Sequence, residues 1–244
     1  MAKPENYRTL IEYANAKTSK GEALGILTGI VYLAPANESG RGNVCGYKTV
    51  GCETGCLYMA GRGPMPNVIS ARIDKTHFYF DNRAAFLDSL RYDIEALIRK
   101  AERENLIPAV RINGTSDLPW IALQMAKEYP TVQFYDYTKL PKAWLRVRSN
   151  YHITFSHSEN NLDECVRALE HGLNVAVVFD THKNSELPSE FLGRPVIDGD
   201  LHDVRFLDGH KGAIIGLRAK GPAKKDESGF VVKTDKLVQI TLAA

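Results

Sequence analysis

Short apolar runs alternate with polar or helical stretches from residue 107 onward. The runs are IPAVRI, TVQFYDY, YHITF, NVAVVF, RPVI and GAIIGL, and an earlier run, ALGILTGIVYL, ends in β-branched and aromatic residues. Strands that are apolar almost continuously are typical of parallel sheets in which both faces are covered. These runs therefore predict buried parallel strands, and the first of them lies within residues 23–35.

Between the runs, apolar residues recur at the spacing of a helix. Asp81 or Asn82 is available as the cap of the clearest helix, whose apolar positions are Phe86, Leu87, Leu90, Ile94, Leu97, Ile98 and Ala101. Pro119 lies at the start of a further predicted helix, and Gly172 ends another. Residues 67–82 fit both a helix and an extended segment, because their first half suits a helix and HFYF suits a strand.

About six units of strand and helix follow one another, which is enough for a barrel or part of one. We therefore expect one α/β domain over residues 1–244, a full or partial (β/α) barrel of the TIM type with parallel strands. A cysteine-rich loop, residues 43–63, follows its first strand. In such barrels the chemistry collects at the carboxyl ends of the strands. Polar segments follow the predicted strands at residues 113–117, 136–138, 156–160, 180–182 and 198–200.

Three of the four cysteines, Cys45, Cys52 and Cys56, lie in this glycine-rich loop. Glycine tolerates positive φ and lets the backbone approach a ligand, so three thiolates can converge there. Three thiolates suit an iron–sulfur cluster, or a zinc ion whose fourth ligand comes from elsewhere. Inert thiols and a disulfide are the remaining alternatives. Cys165 lies within a predicted helix, where we expect it to be buried.

Composition is that of an ordinary soluble domain, with 244 residues, 44% of them hydrophobic, and a net charge of +2. No apolar run approaches the ~18 residues of a membrane span, so we expect a cytoplasmic protein with no membrane partner. In a reducing compartment, cysteines indicate metal binding or catalysis more than disulfides. We expect a mobile basic segment over residues 218–228, which suits a solvated face or a nucleic-acid partner.

Two of the polar strand ends suggest cofactor contacts. In NGTSD, Gly114, Thr115 and Asp117 offer backbone N–H groups and a carboxylate to an amine, carboxylate or phosphate, although a helix cap is an equal alternative. In SHSEN, Ser156 and Asn160 suit sugar hydroxyls or a carboxylate. His157 of the same segment is a candidate acid or base, and Arg62, beside the cysteine loop, is either an anion contact or an exposed side chain.

DGDLHD offers an alternative metal site. Two carboxylates two residues apart face the same side of an extended chain, and such oxygens suit a divalent cation. A turn followed by a capped element is the competing interpretation. The candidate ligands are Asp198, Asp200, His202 and Asp203.

The chain resembles the gene-product-eighty-eight-like proteins of phages and plasmids. The resemblance rests on the stretch from Cys45 through Arg62, on RINGTSDLPW, on DGDLHDVRFLD and on GAIIGLRAKG. It covers most of the chain and implies an origin in a phage or another mobile element. A phage-encoded protein of this kind would work in the cytoplasm of the host.

The cysteine trio ahead of β/α repeats is also similar to radical S-adenosylmethionine enzymes, and to three-cysteine phage proteins that begin with the same six-residue gap. In those enzymes three thiolates hold a [4Fe–4S] cluster, whose remaining iron binds the methionyl amine and carboxylate. The spacing here is Cys-x6-Cys-x3-Cys, whereas Cys-x3-Cys-x2-Cys is the common one. The likeness implies a cluster on Cys45, Cys52 and Cys56, and S-adenosylmethionine beside Gly114, Thr115, Asp117, Ser156 and Asn160.

The function expected from the sequence is thus that of an iron–sulfur, radical S-adenosylmethionine-type enzyme. Its substrate is unknown, with a nucleotide or nucleic acid favoured, and it would need a reductant as partner. One alternative is a zinc-stabilised module for binding nucleic acid or protein, in which His77 or His157 completes the site. A further alternative is a divalent-metal-dependent hydrolase or nuclease centred on DGDLHD.

Overall fold

Ten strands form one sheet in the computed structural model, which describes residues 2–13, 18–208 and 211–235. Most neighbouring strands run parallel, and short antiparallel strands lie at the two edges. The strands are β1 Ile11–Glu12, β2 Ile26–Val31, β3 Ile107–Arg111, β4 Gln133–Thr138, β5 Tyr151–Ser156, β6 Val175–Phe179, β7 Glu190–Phe191, β8 Arg194–Asp198, β9 Ile214–Arg218 and β10 Val231–Val232.

Strand order follows chain order along most of the sheet, which runs β1-β2-β3-β4-β5-β6-β9-β8-β7. Every pairing from β2 to β8 is parallel. The edge strands β1 and β7 do not pair with each other in the described part of the chain, so the sheet is not closed. The predicted α/β class is confirmed as a mixed fold on an open, mostly parallel sheet.

α-Helices connect β2 to β3, β3 to β4 and β5 to β6, as the sequence pattern predicts. A 3-10 turn, Ala143–Arg146, lies between β4 and β5, and the described residues form no α-helix between β6 and β9. Asn82 caps the longest helix by accepting a hydrogen bond from the Ala85 N–H group, at 3.0 Å. Asn105 ends the same helix in the left-handed conformation, with φ 53°. The helices are α1 Thr18–Glu22, α2 Val50–Thr54, α3 Pro66–Asp81, α4 Arg83–Glu104, α5 Pro119–Glu128 and α6 Leu162–Glu170.

Helix α3 occupies the stretch that the sequence pattern left undecided. Pro66 stands at its first position, where the missing N–H group costs nothing. Phe78 and Tyr79 near its end pack their rings against Phe86 of α4, with centroids 6.0 and 5.4 Å apart. The aromatic residues that resemble a strand in sequence therefore form a helix because they pack into the core between α3 and α4.

The sheet has one strongly apolar face and one more polar face. Successive residues of a strand point to opposite faces, and Leu27, Val110 and Phe134 pack with the helices in the main core. On the other face a small apolar cluster forms between β2, β3 and β4 and the segment that includes Val204. Polar side chains also lie buried on this second face, among them Thr28, Arg111 and Thr154.

Strand β10 brings the C-terminal segment to the carboxyl end of the sheet. Strands β5 and β6 pair only as far as Ala176, and β10 pairs with β6 at Val178 and Phe179. Within residues 218–228, expected to be a mobile basic segment, Gly221–Lys225 form a 3-10 turn. A Cβ atom on Gly221 would lie 3.2 Å from the carbonyl oxygen of Met59, so this turn packs closely on the cysteine loop.

Candidate functional site

The cysteine loop follows β2 and meets the segment after β3 at the carboxyl end of the sheet. Cys45 forms an isolated parallel bridge with Asp117, whose N–H group donates to the Val44 carbonyl oxygen at 2.8 Å. The Cys45 Sγ atom lies 3.7 Å from the Thr115 carbonyl oxygen. Two segments that the sequence singled out separately, the cysteine loop and NGTSD, are therefore in direct contact.

Two short helical elements hold the other cysteines within the loop. Thr49 caps α2 by accepting a hydrogen bond from the Cys52 N–H group, at 3.2 Å. Cys56 stands in the same position before a 3-10 turn, Leu57–Met59, and its Sγ atom accepts a hydrogen bond from the Tyr58 N–H group at 3.5 Å. Local hydrogen bonds therefore fix the backbone positions of Cys52 and Cys56.

All three thiols are free and partly buried, and charge on a neighbouring thiol acts on Cys45 and on Cys56. Burial raises the pKa of the Cys45 thiol to about 12, and negative charge on Cys56 or Cys52 would raise that pKa further. Burial also raises the pKa of Cys56, while the positive charges of Lys139 and Arg72 oppose that rise. Bringing Cys45 and Cys56 to the thiolate form thus requires a positive partner, which a metal centre supplies.

The thiols are neighbours, but they do not yet surround a common point. No three Cys, His, Asp or Glu side chains form a group able to hold a metal ion in residues 2–13, 18–208 and 211–235. Free space surrounds Gly46 and Gly61, because a Cβ atom on either would meet nothing within 4 Å. The donor set has the chemistry of a thiolate cluster site, and binding would require the loop to shift.

Glu159 of the SHSEN segment anchors the loop from the side of β5. Its carboxylate accepts hydrogen bonds from the Thr49 hydroxyl at 2.6 Å and from the Gly51 N–H group at 2.7 Å. Burial would raise the pKa of Glu159, but these hydrogen bonds lower it below its ordinary value. Sequence reasoning assigned no role to Glu159, because its partners lie 108 and 110 residues away.

The NGTSD side chains are engaged within the protein. Thr115 donates to the Leu33 carbonyl oxygen, and Asp117 accepts from the Thr138 hydroxyl at 2.6 Å and from the Lys139 N–H group at 2.9 Å. Their hydrogen bonds join the ends of β2, β3 and β4. Thr115 and Asp117 therefore lie beside the cysteines and also hold this corner of the fold together.

Gly114 is required by close packing. A Cβ atom there would lie 2.6 Å from Tyr32 Cδ1 and 2.7 Å from the Val31 carbonyl oxygen. Glycine therefore allows the end of β3 to press against the end of β2. Its position supports the contact between NGTSD and the cysteine loop.

The SHSEN residues differ in exposure. Ser156 is partly buried, with its carbonyl oxygen accepting from Asn161 Nδ2 at 2.9 Å, while Asn160 is exposed and its Oδ1 lies 3.4 Å from the Ser158 hydroxyl. His157 is buried and meets the Phe191 ring edge-on. Burial lowers the pKa of His157 to about 4. Its imidazole is therefore neutral at pH 7 and lacks the second ring proton that a general acid would donate.

Asp136 supports NGTSD from β4 and gives a prediction about pH. It accepts hydrogen bonds from Asn113 N and Nδ2 at 2.7 and 3.0 Å, and burial raises its pKa to about 7. The carboxyl group of Asp136 then binds its proton more tightly in the folded protein than in the unfolded chain. Its contribution to the free energy of unfolding is therefore fully present below about pH 4 and is lost as the pH rises to about 7. We expect wild-type stability relative to Asp136→Asn to fall by about 2–4 kcal/mol over that range.

Urea unfolding of both proteins at pH 4.5, 6 and 7.5 measures this difference. Other carboxyl groups titrate in both proteins and cancel in the comparison. A difference that stays constant or grows with pH would contradict a raised pKa at Asp136.

The acidic residues of DGDLHD are divided between two ion-pair networks. Asp198 accepts two hydrogen bonds from Arg218 Nη1, at 3.0 and 2.9 Å, and Asp200 pairs with Arg218 and with Lys220 Nζ at 2.6 Å. This first network lies at the carboxyl ends of β8 and β9. Beside it is an open depression of about 390 Å³ lined by Ser185, Leu187 and Arg218.

The second network lies on the polar face of the sheet. Asp203 accepts two hydrogen bonds from Arg111 Nη1, at 2.8 and 3.1 Å. His202 Nδ1 lies 3.0 Å from Arg205 Nη2, and burial lowers the His202 pKa. Arginine side chains therefore contact both groups of candidate metal ligands, Asp198 with Asp200 and His202 with Asp203.

His77, a candidate zinc ligand, has its Nε2 atom 2.8 Å from the Ser39 carbonyl oxygen.

Buried arginines are the functional candidates that sequence reasoning missed. Arg72 of α3 and Arg111 of β3 are 9% and 5% exposed, whereas Arg62, interpreted as either an anion contact or an exposed side chain, is exposed. A charged residue among apolar neighbours such as Ile69 and Ile73 is the only signal of Arg72 in the sequence. No local pattern indicates which partner either arginine meets.

Comparison with known proteins gives one match. The family model described as Gene product 88 matches residues 8–234. No curated protein and no solved structure matches the chain significantly. None of the helices in the described part of the chain combines the length and apolar character of a membrane crossing.

Proposed function

The chain belongs to the gene product 88 family, and on this fold we propose an iron–sulfur enzyme of the radical S-adenosylmethionine type. Cys45, Cys52 and Cys56 would hold a [4Fe–4S] cluster. The open parallel sheet would be the wall of a partial barrel, with the cluster at the carboxyl ends of its strands, where barrel enzymes carry their chemistry.

One observation carries this proposal. The loop after the first parallel strand holds three thiols, of which, beyond the effect of burial, Cys56 and Cys52 raise the pKa of Cys45 and Cys52 raises that of Cys56. The loop lies against the segment that follows the second parallel strand. A cluster with three protein thiolates leaves one iron free for a ligand. NGTSD, in contact with Cys45, is then placed to meet that ligand.

The residues around the thiols fit such a centre chemically. Lys139 and Arg72 supply positive charge that favours thiolate at Cys56, and partial burial of the three thiols limits the access of water to them. When bound, the cluster would supply the electron that cleaves the sulfonium group of S-adenosylmethionine. Ser156 and Asn160, at the end of β5, would offer a hydroxyl and an amide to the ribose or carboxylate of that cofactor.

A polyanionic substrate such as nucleic acid is the class we favour. Lys224 and Lys225 are exposed on the 3-10 turn that packs against the cysteine loop. Cationic side chains beside a site attract phosphate groups in a salt-dependent manner. The net charge of the chain is only +2 and does not by itself indicate a polyanionic substrate. The proposed substrate class therefore rests on the positive side chains that lie near the thiols.

Anaerobic purification followed by iron, sulfide and zinc analysis tests the proposal. We expect about four irons and four sulfides per chain in the wild type, and their loss in Cys52→Ala. Cys165→Ala is the matched control, because Cys165 is fully buried in α6 and is not part of residues 43–63. It should keep the cluster.

Other metal contents would contradict the proposal. One zinc per chain without sulfide would indicate the zinc-stabilised module instead, and unfolding by a chelator would then follow. Iron that survives in Cys52→Ala would show that the loop is not its site.

A further inference from the structure

Arg72 of α3 is a buried cation held between two aromatic rings. Its guanidinium carbon lies 5.0 Å from the ring centroid of Tyr32 and 5.3 Å from that of Tyr58. The side chain is only 9% exposed. Cation–π contacts of this kind contribute about 0.5–2 kcal/mol each, so the two rings stabilise the charge in part.

No carboxylate balances this charge within the described ranges. Arg72 forms none of the ion pairs there, whereas the other deeply buried arginines, Arg111 and Arg205, each meet an aspartate. Burying an ion without a counter-ion costs several kcal/mol. Among the described residues, Arg72 therefore has no carboxylate within ion-pair distance, and the acid whose charge acts on the neighbouring Tyr58 hydroxyl is Glu38.

Hydrogen bonding at the same place is incomplete as well. Arg72 Nη1 donates to the Tyr58 carbonyl oxygen at 3.5 Å, but Arg72 Nε and the Tyr58 hydroxyl are buried and have no hydrogen-bond partner in the part of the chain that the structure describes. Buried polar atoms are normally hydrogen-bonded. Two unpartnered donors on two side chains in contact indicate a ligand that would accept from both.

The pair lies beside the cysteine loop. The Tyr58 N–H group donates to Cys56 Sγ at 3.5 Å, and the charge of Arg72 acts on the Cys56 thiol. Arg72 itself is fixed to the end of β2, because its carbonyl oxygen accepts from the Ala34 N–H group at 3.3 Å. A group bound by Arg72 and Tyr58 would thus lie next to Cys56.

We propose that Arg72 and Tyr58 form a recognition site for the carboxylate of a small-molecule ligand that binds at the cysteine loop. An arginine edge and a phenolic hydroxyl are both donors, and a carboxylate is an acceptor only. A single guanidinium matches a monoanion, whereas a phosphate group carries about −1.5 to −2. This site requires no bound cluster and stands independently of the proposed enzymatic function.

Nuclear magnetic resonance of the full-length chain with matched probes tests the site. Propionate, its neutral analogue propionamide and inorganic phosphate are titrated while the Arg72 Nε–H signal and the Tyr58 ring signals are followed. We expect saturable shifts with propionate at about millimolar affinity and none with propionamide. Arg72→Gln should weaken propionate binding about tenfold or more, the loss of one charged hydrogen bond.

Tyr58→Phe separates ligand recognition from folding. It removes a buried hydroxyl that has no partner, so we expect unchanged or higher thermal stability together with propionate binding weakened about threefold to tenfold. Arg62→Gln, an exposed arginine of the same loop, should bind as the wild type does. The proposal is overturned if propionamide binds equally well, if phosphate binds more tightly than propionate, or if Tyr58→Phe and Arg72→Gln keep full affinity.

Discussion

Replacing Asp203 by asparagine is expected to lower the free energy of unfolding by about 3–5 kcal/mol. Asp203 accepts both hydrogen bonds from Arg111 Nη1, and the two side chains are 14% and 6% exposed. Burial lowers the pKa of Arg111, but Asp203 and nearby tyrosines raise it above its ordinary value, so the guanidinium stays charged. The variant would leave that charge buried without its anion.

Chemical denaturation of the variant and of a surface control measures this loss. Asp81→Asn breaks the ion pair between Asp81 and Arg41, whose side chains are 51% and 55% exposed, respectively. It should lower the free energy of unfolding by less than about 1 kcal/mol. Arg111→Met combined with Asp203→Leu should recover much of the stability, because apolar residues often replace a buried pair without loss. An equally small effect at Asp203 and Asp81 would contradict the buried ion pair.

Gly63→Ala is the second change with a large expected effect. A Cβ atom at Gly63 would lie 1.9 Å from the Tyr58 carbonyl oxygen and 3.0 Å from that of Ala60. Both are backbone atoms, so the 3-10 turn after Cys56 would have to move. We expect a stability loss of about 3 kcal/mol, and loss of the cluster under the proposed function.

Gly46→Ala is the matched control within the same loop. Its Cβ atom would meet nothing within 4 Å and its φ is not positive, so we expect no loss, or a gain of up to about 1 kcal/mol. Thermal melts and iron content of both variants measure the two effects. Wild-type stability and iron in Gly63→Ala would show that the turn does not constrain Cys56.

Sequence patterns are sufficient for the longer parallel strands, because most of these strands are covered on both faces, but the two-residue strands β1, β7 and β10 have no such pattern. Runs such as YHITF and NVAVVF leave few alternatives once both faces must be buried, and β5 and β6 lie where the runs predict. Two strand ends are also readable, because Ser156 and Asp198 mark a change from apolar to polar residues and are the last residues of β5 and β8. The sequence pattern places residues 136–138 after a strand, but they lie inside β4, where Asp136 is buried. The order and openness of the sheet depend on pairings between distant strands, which no local pattern shows.

Helix α3 shows where local preference is misleading. HFYF consists of residues common in strands, yet Phe78 and Tyr79 complete an aromatic cluster with Phe86. The free energy of that packing exceeds the small difference in intrinsic preference.

The candidate site is only half visible in the sequence. The cysteines and NGTSD stand out by composition, and the structure places Cys45 beside Thr115. Glu159, Arg72 and the pair of Arg111 with Asp203 depend on contacts between distant residues, and Arg111 and Asp203 are 92 positions apart. Spacing alone also leaves open whether three thiols surround a common point, because that depends on how the loop packs.

Electron paramagnetic resonance tests the central claim most directly. The anaerobically purified chain is reduced with dithionite, and its spectrum is recorded with and without S-adenosylmethionine. We predict the signal of a reduced [4Fe–4S] cluster, absent in Cys52→Ala and changed in shape by S-adenosylmethionine, because the iron without a protein thiolate is open to that cofactor. A cluster signal that S-adenosylmethionine leaves unchanged, or a protein without any cluster signal, would contradict the account.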